Sequence, residues 1–349
     1  MNAFCTVVTR SHLGFAKVLA ETLLSSGNKE PLFVLIADCE DIEDEHIERY
    51  NFNPIYLSDL TTIYPPMMPY YYDAFEFCCA LKPFLVNHLF DSCNVSSAIY
   101  LDCDIFVVGS FESVWEDLKT TSLLLTPHQL LPPPIDINYA SELDVQRFGL
   151  FNGGFYGWRA GDDTQQILNW MCQRFTYLGF SNPEEKMFVD QNLLPLVLGY
   201  FSNFVRISRN LGLNIAYWNA HERNVKFFDG RWIIDGNPVV FFHMSGYRLT
   251  FPDLPCAYLN EQDNNHILRC AKWFEQVIIE YKEILLSSNK LGSKVKPYYF
   301  GELNGITLNK HYRRILFKTG YINQWSYKYW RIWLWEKLKA IKNRFRSLL

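Results

Sequence analysis

The 349-residue sequence contains no run of about 18 uninterrupted apolar residues, which leaves out an ordinary membrane-spanning helix. Its opening, MNAFCTVVTRSH, has no basic n-region and only a short apolar stretch, so no secretory signal is expected. No repeat at a period of about 20 to 50 residues recurs. The nine cysteines are odd in number and scattered, with Cys78 and Cys79 adjacent and no CxxC spacing. That pattern suits reduced, mostly buried thiols in a cytosolic protein better than a disulfide framework or a zinc site. Acidic residues almost vanish near the C-terminus: from Asn309 onward eleven Lys or Arg stand against the single acid Glu336, a charge of +10. The preceding 308 residues carry −14, so the total of −4 averages two unlike parts. Taken whole, it speaks against a general nucleic-acid binder.

Apolar residues make up 49% of the chain and aromatics 17%, enough for a sizeable core, and length alone suggests roughly two domains. The first 110 residues alternate β-rich apolar runs with helix-like segments, as in a mostly parallel sheet with helices on its faces. Strands are expected at 4–9, 32–37, 97–101 and 122–125, and helices at 15–24, 74–89 and 163–178. Three consecutive prolines at 132–134 exclude a helix interior or central strand there. The acid-rich start of PEEKMFVDQNLLPLVL suits a helix N-terminus, with Asp190 and Gln191 on that helix. A last strand is read at 239–247, and beyond about residue 250 the β character gives way to helices at 266–287 and 327–349.

The sharpest chemical signal is the sequence Ile99-Tyr100-Leu101-Asp102-Cys103-Asp104 at a strand end. Positions i and i+2 of extended chain point the same way, so Asp102 and Asp104 can present two carboxylates to one hard divalent cation and leave positions for diphosphate oxygens. An isolated pair of this kind is also a common solvated turn. His243 closes the apolar run VVFF ahead of Met244-Ser245-Gly246, where a small-residue turn allows close approach of backbone to phosphate; a satisfied core histidine is the plainer reading. Asn152-Gly153-Gly154 permits close backbone approach and offers an amide to a sugar hydroxyl, or is a tight turn. Trp218, Asn219, His221 and Glu222 form a polar-aromatic cluster, joined by His128 and Arg223. It suits either a stacked acceptor sugar or a tryptophan packed under a surface loop.

The order and spacing of these pieces resemble the GT-A glycosyltransferases, especially the family 8 type that includes bacterial lipopolysaccharide galactosyl- and glucosyltransferases and glycogenin. The DxD follows a strand, FNGGF comes about fifty residues later, DQN about forty further, and a His-x-x-Gly turn about fifty beyond that. The resemblance spans residues 3–250. It implies a Rossmann-like GT-A domain over 1–250 with a helical region over 251–349, and a nucleotide diphosphate sugar as donor. It further implies a divalent cation, usually Mn²⁺ with Mg²⁺ as alternative, held by Asp102, Asp104 and His243. In the same terms, Thr6, Val8, Thr9 and Asp38, with Arg10 beside them, lie where base and ribose are held. Lys82, Cys103, Asn152, Gly153, Ser245 and Gly246 border the donor, and Asp190 and Gln191 lie beside the anomeric centre. Where the family commonly places a diphosphate lysine three residues after that glycine, this sequence has Leu249, and Arg248 is the nearest cation.

The implied reaction moves a hexose to a saccharide or lipid-linked glycan acceptor, as in bacterial surface polysaccharide assembly. The stereochemical outcome stays open: Asp190 or Gln191 serves a retaining route, Asp190 or His128 an inverting one. A sugar nucleotidyltransferase would show a glycine-rich loop near the first strand, which TVVTRSHLG matches poorly. An aspartate-nucleophile hydrolase would carry its acids on the first strand, and a silent carbohydrate-binding or scaffold protein would not need the full set. In 327–349, Trp330, Leu334, Leu338, Ile341, Phe345 and Leu348 share one helical face beside Lys328, Arg331, Lys339, Lys342 and Arg346. Such a helix suits either an anionic membrane surface on the cytoplasmic side or docking on the protein itself.

Overall fold

A computed structural model describes residues 1–39, 51–135, 137, 139–288 and 297–320. Its first strand, β1 (Asn2–Val8), is buried on both faces from Ala3 onward, as an apolar central strand of a parallel sheet must be. The helix α1 (Leu13–Ser25) leads to β2 (Leu32–Ile36), and β3 (Asn53–Tyr56) follows. A short α2 (Met68–Tyr71) precedes α3 (Ala74–Ser92). The α3 start is fixed by a capping box: the Asp73 carboxylate accepts from Glu76 N at 2.9 Å, and Glu76 accepts from Asp73 N at 3.1 Å. Next come β4 (Ser97–Leu101), β5 (Ile105–Val107), α4 (Glu112–Leu118), β6 (Leu123–Pro127), α5 (Glu142–Phe148), β7 (Phe151–Arg159) and α6 (Asp162–Phe175).

Seven strands form the central sheet in the order β10-β6-β7-β4-β1-β2-β3, where β10 spans Val205–Ile207 and β8 (Ser181–Asn182) pairs apart with β9 (Met187–Phe188). All neighbours run parallel except β7, which is antiparallel to both β4 and β6. Side chains alternate across the sheet. Cys5, Val7, Tyr100, Tyr156 and Trp158 face the α3 and α6 residues Phe77, Phe84, Leu168 and Phe175. Phe4, Val34, Ile99 and Phe155 face Ala16, Leu19 and Leu23 of α1 and Val114 of α4.

After α7 (Leu194–Tyr200), the strands β11 (Val225–Phe228), β12 (Arg231–Ile234) and β13 (Asn237–Pro238) make a small meander. Then β14 (Phe241–His243) pairs antiparallel with β5, setting His243 opposite Ile105. The helices α8 (Glu261–Cys270) and α9 (Trp273–Ser288), the hairpin β15 (Glu302–Leu303) with β16 (Ile306–Thr307), and α10 (Lys310–Gly320) complete the described chain. Phe274 and Tyr281 of α9 share a core with Phe106 and Phe242, and Phe300 and Leu316 join the core containing Tyr72 and Phe77. The described part of 251–349 therefore packs into the body.

Several expectations are corrected. The acid-rich 183–185 segment is a short 3₁₀ turn, not an α-helical first turn. Left-handed backbone at Lys186 (φ 57°) and Val189 (φ 44°) delays α7 to Leu194 and leaves Asp190 and Gln191 in the turn before it. The helix read over 266–287 is two helices, because Ala271 leaves helical geometry (φ −129°, ψ 68°). β structure also persists past residue 250, as Asn304-Gly305 at positive φ turns the β15–β16 hairpin. The segment 327–349 lies outside the described residues.

Candidate metal and donor site

The site lies at the carboxyl edge of the parallel strands, where such sheets take ligands. β4 ends at Leu101, and Asp102 N donates to Gly154 O at 2.9 Å, anchoring the acid pair to the start of β7. The chain turns at once, Ile105 N donating to Asp102 O at 3.2 Å, so β5 can pair with β14. Met244 N donates to Asp104 O at 3.0 Å, and His243 Nε2 stands 3.2 Å from Asp104 Oδ1. One ligand atom each of Asp102, Asp104 and His243 falls within 4.8 Å of the others, so the three can hold a metal ion.

The electrostatics fit such an ion. Burial pushes the Asp102 carboxyl above its ordinary range, with Lys82 opposing and the Asp104 charge adding to the rise. Asp104 moves the other way: against the effect of burial, His243 holds it below the usual carboxylate range. About a third of each aspartate side chain is exposed, 32% and 31%, so one side is open to a ligand. Hard oxygen donors with one imidazole suit Mn²⁺ or Mg²⁺.

Beside this trio lies a second, buried charge cluster. Lys82 of α3 donates to Gly153 O at 2.8 Å and Asp190 Oδ2 at 2.9 Å, and lies 3.3 Å from Asp102 Oδ1. Burial works against its charge, yet the two carboxylates outweigh that and raise its pKa. Tyr156 donates its hydroxyl to Asp190 Oδ2, and Tyr100 donates to Asp102 Oδ1 at 2.7 Å. Asp190 is 1% exposed, and its Oδ1 has no hydrogen-bond partner, so a ligand there meets an unspent acceptor.

The paired glycines are explained by what approaches them. A Cβ on Gly153 would collide with the Asp190 carboxylate, and one on Gly154 with the His243 ring. Asn152 is buried and its amide is spent on protein partners: Oδ1 accepts from Gly154 N at 2.9 Å and sits 3.1 Å from His243 Nδ1, while Nδ2 reaches His128 Nε2 and Gln191 Oε1, both at 3.2 Å. Gln191 is likewise engaged, accepting from Gly153 N at 2.8 Å and donating to Phe148 O at 2.8 Å. The structure thus makes Asn152 and Gln191 supports of the site instead of side chains free to hold a sugar.

The nucleotide edge is also revised in part. Thr6 and Asp38 are 0% exposed. Asp38 accepts from Arg10 N at 2.7 Å and faces Arg10 Nε at 3.4 Å, so the arginine, itself donating to Pro297 O at 3.1 Å, covers the carboxylate from a ribose. Val8 is buried in β1, and Thr9 shares hydrogen bonds with Ser11 and His12. Cys103 is half-buried between the two aspartates. Ser245 is half-buried, and Gly246 holds φ 76° with Cys256 and Tyr258 packed where a Cβ would stand. Arg248 is exposed, its guanidinium 5.5 Å from the Tyr258 ring centre.

Trp218 is 6% exposed and wedged edge-on between His128 and His243, at 5.3 and 5.1 Å between ring centres. It is a packed tryptophan and offers no open face to a sugar. Asn219 is fully buried, donating to His128 O and Asn214 O, and His221 is half-buried. Glu222 pairs with Arg223 at 2.7 Å and accepts from Leu130 N and Leu131 N, tethering the proline loop. Burial drives the His128 pKa down to about 4.

Tyr100, Tyr156 and Asn214 were not picked out in the sequence, nor was His12. Tyr100 lies two residues before Asp102 and cross-strand from Tyr156, a same-face relation that period-two reading can find. His12 is within electrostatic reach of Asp104 and Asp38, though burial dominates and lowers its pKa.

Sheet and site together resemble the GT-A glycosyltransferases. No family model matches the chain. It is similar to two uncharacterized proteins of Bacillus subtilis (strain 168): YfnF, 26% identical over 255 residues that cover 71% of this chain and 82% of that one, and YfnD, 25% identical over 293 residues that cover 78% and 90%. Among solved structures it is similar to the galactosyltransferase LgtC in complex with donor and acceptor sugar analogs, at 14% identity, a TM-score of 0.46 and coverage of 81% of this chain and 95% of that one. It is also similar to the glycosyltransferase GlyE of Streptococcus pneumoniae TIGR4, at 13% identity, a TM-score of 0.44 and coverage of 82% and 63%.

Proposed function

We propose that this chain is a metal-assisted glycosyltransferase that moves a hexose from a nucleotide diphosphate sugar to a saccharide or lipid-linked glycan. The observation that carries the reading is the convergence of Asp102, Asp104 and His243 beside the buried Lys82–Asp190 pair. Asp102, Asp104 and His243 would hold Mn²⁺ or Mg²⁺, which when bound supplies positive charge against a departing diphosphate. Lys82 pairs with Asp190 and fixes it between α3 and β7. The free Asp190 Oδ1 then serves as acceptor for a donor-sugar hydroxyl or as a negative charge facing the anomeric carbon. There the acceptor hydroxyl forms its new bond as the bond to diphosphate breaks. Arg248, exposed on the turn after β14, would be the cation that meets the diphosphate. With Gln191 spent on backbone partners, Asp190 is the group of the pair that can act.

The +10 C-terminal segment supports a place on an anionic membrane surface at the cytoplasmic side, with bacterial surface polysaccharide assembly as the setting. A thermal-shift panel of nucleotide sugars with and without Mn²⁺ tests the central claim, because a ligand of the folded state raises apparent stability. One nucleotide sugar should raise the melting temperature in Mn²⁺ and be hydrolysed slowly, and Asp104→Ala should abolish both effects. Turnover that persists in chelator and in Asp104→Ala would overturn the metal assignment. Binding without any hydrolysis or transfer would favour a silent carbohydrate-binding protein.

A further inference from the structure

Asp190 follows a stretch of backbone that side chains of its kind rarely adopt. Val189 is β-branched and 3% exposed, yet it holds φ 44°, and Lys186 three residues earlier holds φ 57°. Left-handed backbone is costly for a branched side chain and persists only where the surrounding structure over-determines it. Here the surroundings are a short hairpin. β8 and β9 pair Ser181 with Phe188 and Asn182 with Met187, and Val189 N donates to Phe180 O at 3.0 Å, closing the hairpin's neck. Asp190 leaves that neck directly into the candidate site, where it has little room: Lys82 Nζ stands 2.9 Å from Oδ2, and a Cβ on Gly153 would strike the same carboxylate.

The neck is gripped from the C-terminal helix α10. Arg314 pairs with the buried Glu76, which accepts from Ser181 N at 2.8 Å. Lys310 donates to Ser181 O at 2.7 Å, so both backbone groups of Ser181 end on this grip. The Arg314 guanidinium also lies 4.0 Å from the centre of the Phe180 ring, and Phe317 packs edge-on against that ring at 4.7 Å between centres. Glu76 belongs to the first turn of α3, the helix that carries Lys82. α10 therefore touches both elements that bring Lys82 and Asp190 together.

We propose that α10 is a clamp on the strained neck at Phe180 and Val189 that places the Asp190 carboxylate in the site, with Arg314 as its positioning residue. Arg314 acts through Glu76 and Phe180 and touches no substrate. Misplacing a reacting group by about 1 Å costs about 10²-fold in rate, so a grip on the residue next to Asp190 is close enough to set turnover. The turnover half of the proposal rests on the function proposed above; the placement of Asp190 does not.

Hydrogen–deuterium exchange of the full chain, read by mass spectrometry, tests the placement without any ligand. Arg314→Met, folded by thermal melt, should exchange about tenfold faster over 179–193, by a larger factor there than in β1 or β4. Lys310→Met, a change at an exposed side chain that keeps the Arg314 pair, should show the same pattern at smaller size. A rise equal in all three segments, or none over 179–193 in either variant, overturns the clamp. Turnover is read as Mn²⁺-dependent hydrolysis of UDP-glucose, UDP-galactose and GDP-mannose. On whichever is hydrolysed, Arg314→Met should lower kcat about tenfold or more and leave KM within about twofold. A folded Arg314→Met chain with wild-type kcat overturns control of turnover by α10. A wild-type chain that hydrolyses none of the three while the exchange pattern holds supports the clamp and counts against the proposed function instead.

Discussion

At Gly153 and Gly154, two hydrogens are what let a carboxylate and an imidazole stand against the same strand. Gly154→Ala would push its methyl into the His243 ring and the Asn152 oxygen. Overpacking of this sort costs about 1–3 kcal/mol, and here it displaces a proposed ligand, so Mn²⁺ titration should show lost affinity alongside a lowered urea midpoint. His128 gives a pH signature. Its pKa falls from the ordinary 6.5 to about 4 on folding, so between those values the unfolded chain binds more protons and stability rises with pH. Acidification through that window should cost on the order of 3 kcal/mol from this group, and urea unfolding of His128→Gln against pH should show a flatter profile. The acids, the histidine and the glycine pair were legible because each is a chemical type at a strand end. Tyr100, Tyr156 and Asn214 were not, because their task is to complete other residues' hydrogen bonds, and that depends on which strands become neighbours.

The helix α3 connects the site to the C-terminal part of the chain. Lys82 projects from its middle, and at its first turn the fully buried Glu76 is paired by Arg314 of α10 and accepts from Ser181 N at 2.8 Å. Removing one partner of a buried pair typically costs 3–5 kcal/mol. Arg314 is about a quarter exposed, at 24%, and Glu76 keeps backbone donors, so Arg314→Met should cost about 2 kcal/mol, read as a lower urea midpoint with unchanged slope. The long apolar elements were legible from their period: β4 matches its expected bounds, and α1 and α6 differ by only a few residues. Short elements were not. Asp229-Gly230 and Asp235-Gly236 hold positive φ at the turns of the β11–β13 meander, as Asn304-Gly305 does at the β15–β16 hairpin. These are hairpin dipeptides whose flanking strands are too brief to show alternation.

For the whole molecule, charge is divided along the chain. The acidic body carries three residues that could hold a metal ion, and no helix among the described residues is long and apolar enough to cross a membrane. Arg313 of α10 donates to Tyr70 O at 2.9 Å, Tyr72 O at 2.6 Å and Phe300 O at 3.0 Å, so α10 is itself anchored to the body. Deleting 321–349 removes seven basic residues and Glu336, which takes the net charge to −10. The shortened chain should keep its melting temperature and Mn²⁺ affinity but lose co-sedimentation with anionic vesicles; salt should weaken that association in the full chain. The strand that runs antiparallel within the described central sheet, β7, has a last effect on the molecule as a whole. It enters the sheet at the edge where its neighbours leave, so its register with β4 decides which residue faces Asp102. Between Phe155 and Arg159 it is locked by buried rings on both faces, and a shift of one residue would exchange those faces. A one-residue deletion there would carry Asn152, Gly153 and Gly154 out of step with both aspartates at once. The strand is a ruler whose far end is read beside the acid pair, so its length matters there as much as its chemistry.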